Sequence, residues 1–168
     1  MKTLSFTFLS LFFASVCFAD DAALIKARVM NAILCKEDSL DTVRDIVKKT
    51  PFNAEVASSS WGQEMDEKNV IILNEGITIA GSKASAVISD FGITYTNFQG
   101  IVFAEFSGDY KAAVKELGLL ESKKTEEDIG EYVLPKPRGG KDEVCPPTIA
   151  LTPIETGKFV LGCGWCNG

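Results

Sequence analysis

The stretch from Glu55 to Phe106 constrains the fold most, because it consists of short runs of β-branched and aromatic residues separated by turn-forming residues. The runs occupy 55–61, 70–73, 77–80, 86–89, 93–96 and 101–106, and glycines lie between them or at their edges, at Gly76, Gly81, Gly92 and Gly100. Parallel neighbours need long crossovers, whereas antiparallel neighbours need only short turns. The spacing therefore predicts an antiparallel meander, and its last run is apolar enough to be covered on both faces.

Two helices are predicted before the meander. Between residues 20 and 36 apolar side chains recur at every fourth position, which is typical of a helix buried along one broad stripe. A second helix is predicted to be capped by Asp38 or Ser39 and to run to Lys49, where a cation suits the carbonyl end. Pro51 then prevents the helix from continuing.

A third helix and a hairpin are predicted after the meander. The helix spans Tyr110–Leu117 and ends at Gly118, which readily takes the left-handed conformation of a helix end. The hairpin pairs 148–153 with 158–163 through a three-residue turn at 155–157. This register places four residues on one face: Ile149, Leu151, Leu161 and Cys163. The predicted fold class is α+β: two N-terminal helices and a later helix packed on an antiparallel sheet, with a C-terminal hairpin and stabilising disulfides.

Residues 1–19 have the composition of a secretory signal peptide, with an apolar run after Lys2 and the small residue Ala19 near its end. Lipid attachment at Cys17 competes with cleavage after Ala19, but the bulk of Val16 before that cysteine favours cleavage. We therefore expect one exported domain, 20–168, in the periplasm or outside the cell. No later run reaches the about 20 apolar residues that a transmembrane helix needs, so no such segment is expected in the mature chain.

The chain contains no histidine, which excludes several kinds of active site. Ser-His-Asp and Cys-His nucleophilic arrangements, and every zinc site with a histidine ligand, need that side chain. A zinc site made of cysteines alone competes with oxidation outside the cytoplasm. The formal net charge of −6 opposes binding to nucleic acid or anionic lipid. We expect no metal, no cofactor and no nucleic-acid partner.

Four cysteines remain after the predicted signal peptide: Cys35, Cys145, Cys163 and Cys166. In an oxidising compartment they favour two disulfides, for which three connectivities exist. Cys35 lies on the first predicted helix and Cys145 just before the predicted hairpin, so both are natural partners for the two C-terminal cysteines. The pairs Cys35–Cys163 and Cys145–Cys166 are favoured, while the connectivity stays open.

The motif from Cys163 to Cys166, CGWC, has the spacing of a thiol-disulfide oxidoreductase site. In such enzymes the motif opens a helix, whose N-terminus lowers the pKa of the first thiol. Only Asn167 and Gly168 follow Cys166 in this sequence, so we expect no such helix after the motif. A structural role is favoured over catalysis.

Two further groups suggest carbohydrate chemistry, each with a plainer alternative. Trp61 and Trp165 can stack on sugar rings, but tryptophan more commonly packs in a core or over a disulfide. Glu64, Asp66 and Glu67 can be interpreted as acid and base for glycoside cleavage, yet a polar turn between strands uses the same residues. The plainer alternatives are favoured.

The segment that contains Lys136, Arg138 and Lys141 is locally basic in an acidic chain, and is either a recognition loop or a solvated connector. With Trp165 these residues are the candidate contacts for a partner. By elimination, the sequence favours a small non-enzymatic binding protein with a protein partner in the cell envelope, such as an inhibitor of the immunity type or an envelope accessory protein. The alternatives are an oxidoreductase that uses CGWC and a carrier of a small ligand such as lipid.

We expect the exported protein to begin at Asp20, because Ala19 is the nearest small residue after the apolar run. Intact-mass spectrometry of the protein recovered after export measures this directly. A diacylglyceryl adduct on Cys17 would contradict both the cleavage site and the expected release from the membrane.

Overall fold

The computed structural model describes residues 13–49, 56–61, 67–95, 98–123, 129–135 and 147–164, with only the backbone described for 13–21, 56–61, 90–95 and 98–100. Its helices are α1 (Phe13–Ile33), α2 (Ser39–Lys49) and α3 (Tyr110–Leu117). Its strands are β1 (Val56–Trp61), β2 (Lys68–Ile79), β3 (Ser82–Tyr95), β4 (Phe98–Ser107), β5 (Leu120–Glu121), β6 (Tyr132–Val133), β7 (Thr148–Glu155) and β8 (Lys158–Gly164).

In the described part of the chain, eight strands form one antiparallel sheet in the order β1-β2-β3-β4-β8-β7-β6-β5. The predicted meander is confirmed as β1 to β4, and the predicted C-terminal hairpin is confirmed as β7 and β8. Strand β8 pairs with β4, so the hairpin continues the meander in one sheet. The α+β fold class is confirmed.

The meander has fewer and longer strands than the glycine spacing predicts. Gly76 lies inside β2, at a register shift between Ile72 and Ile77, and takes a φ of +71°. A Cβ atom at this position would lie 2.5 Å from the Ala84 carbonyl oxygen, so the bulge requires glycine. The reversal between β2 and β3 lies at Ala80 and Gly81, both with positive φ, rather than at Gly76.

Helices α1 and α2 cover one face of the sheet, which we call the helix face. Helix α1 contacts β2, β4 and β8, while α2 contacts β1, β2 and β4. The fully buried side chains of this interface come from both layers: Val29, Ile33, Val43 and Ile46 from the helices, and Ile71, Leu73, Phe106 and Leu161 from the strands. Phe106 and Phe159 stack at 5.4 Å between ring centroids. Apolar burial against this face holds the two layers together.

Helix α1 ends at Ile33, three residues before the predicted end. Cys35 takes a left-handed φ of +50°, and its N–H donates to the Ala32 carbonyl at 3.2 Å. The Lys36 N–H donates to the Asn31 carbonyl at 2.9 Å. These two bonds form a Schellman motif, in which glycine is the usual left-handed residue. The sequence carries no glycine here, which is why the apolar pattern alone extends the helix too far.

Helix α2 begins at Ser39, and the Oδ1 atom of Asp38 accepts the Asp41 N–H at 3.0 Å. Of the two predicted caps, Asp38 is therefore the one that acts in the structure. Ser39 is buried, and its hydroxyl donates to the Ala32 carbonyl at 2.7 Å. This bond joins the start of α2 to the end of α1.

The predicted hairpin and the predicted face are confirmed, and the pairing beside the turn is one residue tighter than expected. Glu155 pairs with Lys158, so the turn contains two residues, Thr156 and Gly157, and Gly157 has a φ of +78°. A bulge between Pro153 and Glu155 then shifts the register by one residue. The four residues expected on one face therefore do pair: Ile149 with Cys163 and Leu151 with Leu161.

Among the described residues, no helix is long and apolar enough to cross a membrane.

We expect Gly118→Ala to lower the free energy of unfolding by about 1 kcal/mol. Gly118 has a φ of +65°, and a Cβ atom there would meet nothing within 4 Å, so the cost comes from the backbone alone. Urea unfolding followed by circular dichroism measures the change. Gly118→Asn is the control, because asparagine tolerates the left-handed region and should cost less than alanine. Equal losses of unfolding free energy in the two variants would show that the cost does not come from the left-handed backbone at Gly118.

Candidate functional site

Cys35 and Cys163 form a disulfide, with their Cα atoms 5.2 Å apart and 128 positions apart in sequence. Cys35 lies just beyond α1, and Cys163 lies on β8, where it pairs with Val102 of β4 and Ile149 of β7. Cys163 is 1% exposed. The favoured pairing of these two cysteines is confirmed. The bond fastens the end of α1 to the middle of the sheet.

This pairing determines what the CGWC motif can do in this state. A dithiol enzyme cycles its two CxxC sulfurs between free thiols and a bond to each other. The Sγ atom of Cys163 is instead bonded to Cys35, and Cys163 lies within a strand rather than at the N-terminus of a helix. Neither a free thiolate at Cys163 nor a helix field to stabilise one is present. The chemistry of this half of the motif is that of a structural cross-link.

The remaining predicted contact residues cannot be placed. Six of them lie outside the described residues: Cys145, Cys166, Trp165 and the basic residues Lys136, Arg138 and Lys141. Pairing of Cys145 with Cys166 stays a prediction, as does recognition by the basic segment.

The face of the sheet away from α1 and α2 carries an unbroken line of paired residues, which we call the outer row. Residues directly opposite on neighbouring strands share a face, and pairing runs without interruption across seven strands. The line consists of Val70, Ile88, Phe103, Gly162, Ala150, Val133 and Leu120. No charged or polar side chain interrupts this line.

The middle of the outer row is covered by the segment 129–131. Ile129 is 2% exposed and clusters with Phe103, Ala150 and Val160, which are also buried. The Glu131 N–H donates to the Thr152 hydroxyl oxygen at 3.1 Å, which holds the segment against β7. Phe103 and Ala150 are therefore core residues of a second, smaller cluster.

Gly162 is required at the centre of the outer row because its neighbour Phe103 lies against it. A Cβ atom at Gly162 would lie 2.5 Å from the Phe103 Cβ and 2.4 Å from the Val102 carbonyl oxygen. These separations are too short for non-bonded atoms, so any side chain would force β8 away from β4.

Both ends of the outer row are accessible. Leu120 of β5 is 59% exposed, and Ile72, which follows Val70 on the same face of β2, is 52% exposed. Val70 and Val133 are half-buried. Singly exposed apolar residues are common, but these lie on the same face of the sheet as a buried apolar cluster. The accessible ends are suited to contact with another apolar surface.

The sequence analysis missed the outer row, although a partial signal exists. The run 101–106 predicts a strand covered on both faces, and the burial of Val102, Phe103, Ala104 and Phe106 confirms this. The row itself depends on which strands are neighbours. The pairing of β4 with β8 joins distant parts of the chain and leaves no local pattern.

A second surface feature is a shallow, charged hollow of about 430 Å³ beside α2, lined by Asp41, Arg44, Asp45, Lys48 and Glu67. Arg44 Nε lies 2.8 Å from Glu67 Oε2. Hydrogen bonds from Lys49 and then Arg28 hold the pKa of Asp45 below its usual value. These pairs link α2 to α1 and to the residue that precedes β2, so their charges serve the packing of the helix layer.

Glu67 is the one predicted carboxylate whose side chain is described. Its oxygens accept hydrogen bonds from Arg44 and, at 3.2 Å, from the buried amide of Asn69. Glu64 and Asp66 lie outside the described residues, and for Trp61 only the backbone is described. Glu67 is thus held by a structural network, and a catalytic pair in this segment stays a prediction.

Within the described ranges, no group of three or more candidate ligand side chains is arranged to hold a metal ion.

Comparison of the chain with protein-family models, with curated proteins and with solved structures finds no match.

We expect Cys35→Ser combined with Cys163→Ser to lower the free energy of unfolding by about 2 to 5 kcal/mol, because the disulfide constrains the unfolded chain. Urea unfolding without reductant measures the loss.

Wild-type protein in excess reductant provides the control and should lose at least as much stability as the double variant. Unfolding curves of the oxidised wild type and the double variant that coincide would contradict a stabilising role for the bond.

Proposed function

We propose that this chain is an exported, non-enzymatic binding protein whose partner is another protein in the cell envelope or outside the cell. Inhibition of the immunity type, or an accessory role in the envelope, is the activity proposed. The observation that carries the proposal is the Cys35–Cys163 disulfide. This disulfide makes Cys163, the first cysteine of CGWC, part of a cross-link. Structural disulfides persist in oxidising compartments.

The outer row supplies the proposed contact surface. Leu120 at one end of the row, and Ile72 beside Val70 at the other, are exposed on the face that α1 and α2 leave uncovered. Apolar residues that extend from a buried cluster form the type of centre that protein interfaces bury. The basic residues Lys136, Arg138 and Lys141, with Trp165, are proposed as further contacts with an acidic partner.

The sequence analysis also left two alternative functions open, an oxidoreductase and a lipid carrier, and the experiment below distinguishes them from the proposed function. An oxidoreductase would need Cys163 to exchange its bond with Cys35 for one with Cys166 during turnover. A lipid carrier would need an apolar cavity, whereas the hollow beside α2 is lined by charged residues. Neither competitor gains support from the described residues.

We expect Leu120→Gln and Ile72→Thr each to reduce capture of the partner at least tenfold, because each replaces apolar contact area at the outer row. Quantitative mass spectrometry measures capture from envelope extract by the immobilised, oxidised protein. The matched control is Leu24→Gln on α1: Leu24 is 60% exposed, much like Leu120, but lies on the helix layer.

The melting temperature of each variant should stay near that of the wild type. Equal capture by all three variants would contradict the outer row as the contact surface. Catalytic reduction of a model disulfide by the wild type, or stoichiometric lipid in the purified protein, would contradict the proposed function itself.

A further inference from the structure

Strand β1 lies at one end of the sheet and pairs on one side only, as far as the described residues extend. All six of its residues pair with β2 in an unbroken register, from Val56 opposite Leu73 to Trp61 opposite Lys68. The opposite end of the sheet is β5, which contains two residues and is too short to template another strand. The outward N–H and C=O groups of β1 are therefore the longest hydrogen-bonding edge in the described sheet.

The sequence of β1, VASSSW, lacks the features by which edge strands usually avoid pairing. Natural edges carry lysine or other charges, proline or a bulge. Strand β1 contains no charged residue and no proline, and its register with β2 shows no bulge. No strand among the described residues covers this uncharged edge.

We propose that β1 pairs antiparallel with β1 of a second copy of this chain, so that the two sheets join into one across a twofold axis. A twofold axis brings each residue close to its own counterpart, and like charges directly opposite would repel. An uncharged strand avoids that repulsion, and its three consecutive serines lie opposite serines in a symmetric pair, so the strand is complementary to itself.

The register of this pair follows from the pleat of the sheet. Residues directly opposite share a face, so a symmetric antiparallel pair must be centred on a residue and not between two residues. Centring on Ser58 or on Ser59 uses five of the six residues, and Ser59 is preferred because it places serine opposite serine: Ser59 lies opposite its own counterpart and Ser58 opposite Ser60. Serine pairs across strands can hydrogen-bond, and small residues let the backbones approach.

The dimer is expected to be weak and to respond to salt. One pair of short strands buries less than the about 1,000 Å² of a stable interface. The net charge of −6 on each copy opposes association, and salt screens that repulsion. Association should therefore tighten as ionic strength rises, which is opposite to an interface held by ion pairs.

Sedimentation velocity of the oxidised full chain, at increasing protein concentration and at low and high salt, tests the proposal. The wild type should shift from monomer to dimer with concentration, and the shift should occur at lower concentration in high salt. Ser59→Lys places two lysines opposite each other and should raise the dissociation constant at least tenfold. The control is Ser85→Lys, which makes the same change at an exposed position of the interior strand β3 and should leave the dissociation constant unaltered.

A monomer at all concentrations would overturn the proposal and would indicate that another part of this chain, or a different protein, covers β1. A dimer that persists in Ser59→Lys would also overturn it. If Ser59→Lys unfolds, hydrogen exchange of the wild type provides the test instead. The amides of residues 57–61 should become more protected as protein concentration rises. Equal protection at low and high concentration would overturn the proposal.

Discussion

The disulfide between Cys35 and Cys163 is the constraint on which the rest of the arrangement depends, because it joins the end of the first helix to the centre of the sheet. Its loop encloses α2, α3 and most of the sheet, and closing a loop of this length is worth about 4 to 5 kcal/mol in the chain-entropy treatment. Cys35 adopts its left-handed conformation in the Schellman motif of α1. The same residue therefore ends the helix, turns the chain towards α2 and anchors both helices to β8.

The two faces of the sheet differ because only one of them receives the helices. On the helix face, the aromatic pair Phe106 and Phe159 and the aliphatic residues around it fill the space under α1 and α2. On the other face, a short segment at Ile129 covers the middle and leaves apolar residues at either end. A protein that buries one face thoroughly and the other in part has apolar surface to offer a partner, which links the architecture to the proposed binding role.

The sequence predicts well whatever depends on local spacing. The cap at Asp38, the end of α3 at Gly118 and the antiparallel meander follow from neighbouring residues. Apart from the Cys35–Cys163 pairing, features that depend on distant contacts are predicted poorly. Gly76 belongs to a bulge because Ala84 leaves no room for a side chain, and Cys35 takes a conformation that usually belongs to glycine. The outer row depends on β4 meeting β8, and its residues look like ordinary strand residues until that pairing is known.

The insertion of β8 between β4 and β7 has a consequence for the order in which the protein can assemble. Strands β1 to β4 precede β8 in the chain, so a sheet made of these four strands alone would have a β4 edge without its neighbour, and that neighbour is the last strand described. The sheet gains its centre last. Pairing between segments this far apart in the chain slows folding. Loss of residues after Glu155 would remove the middle of the sheet and separate its two halves.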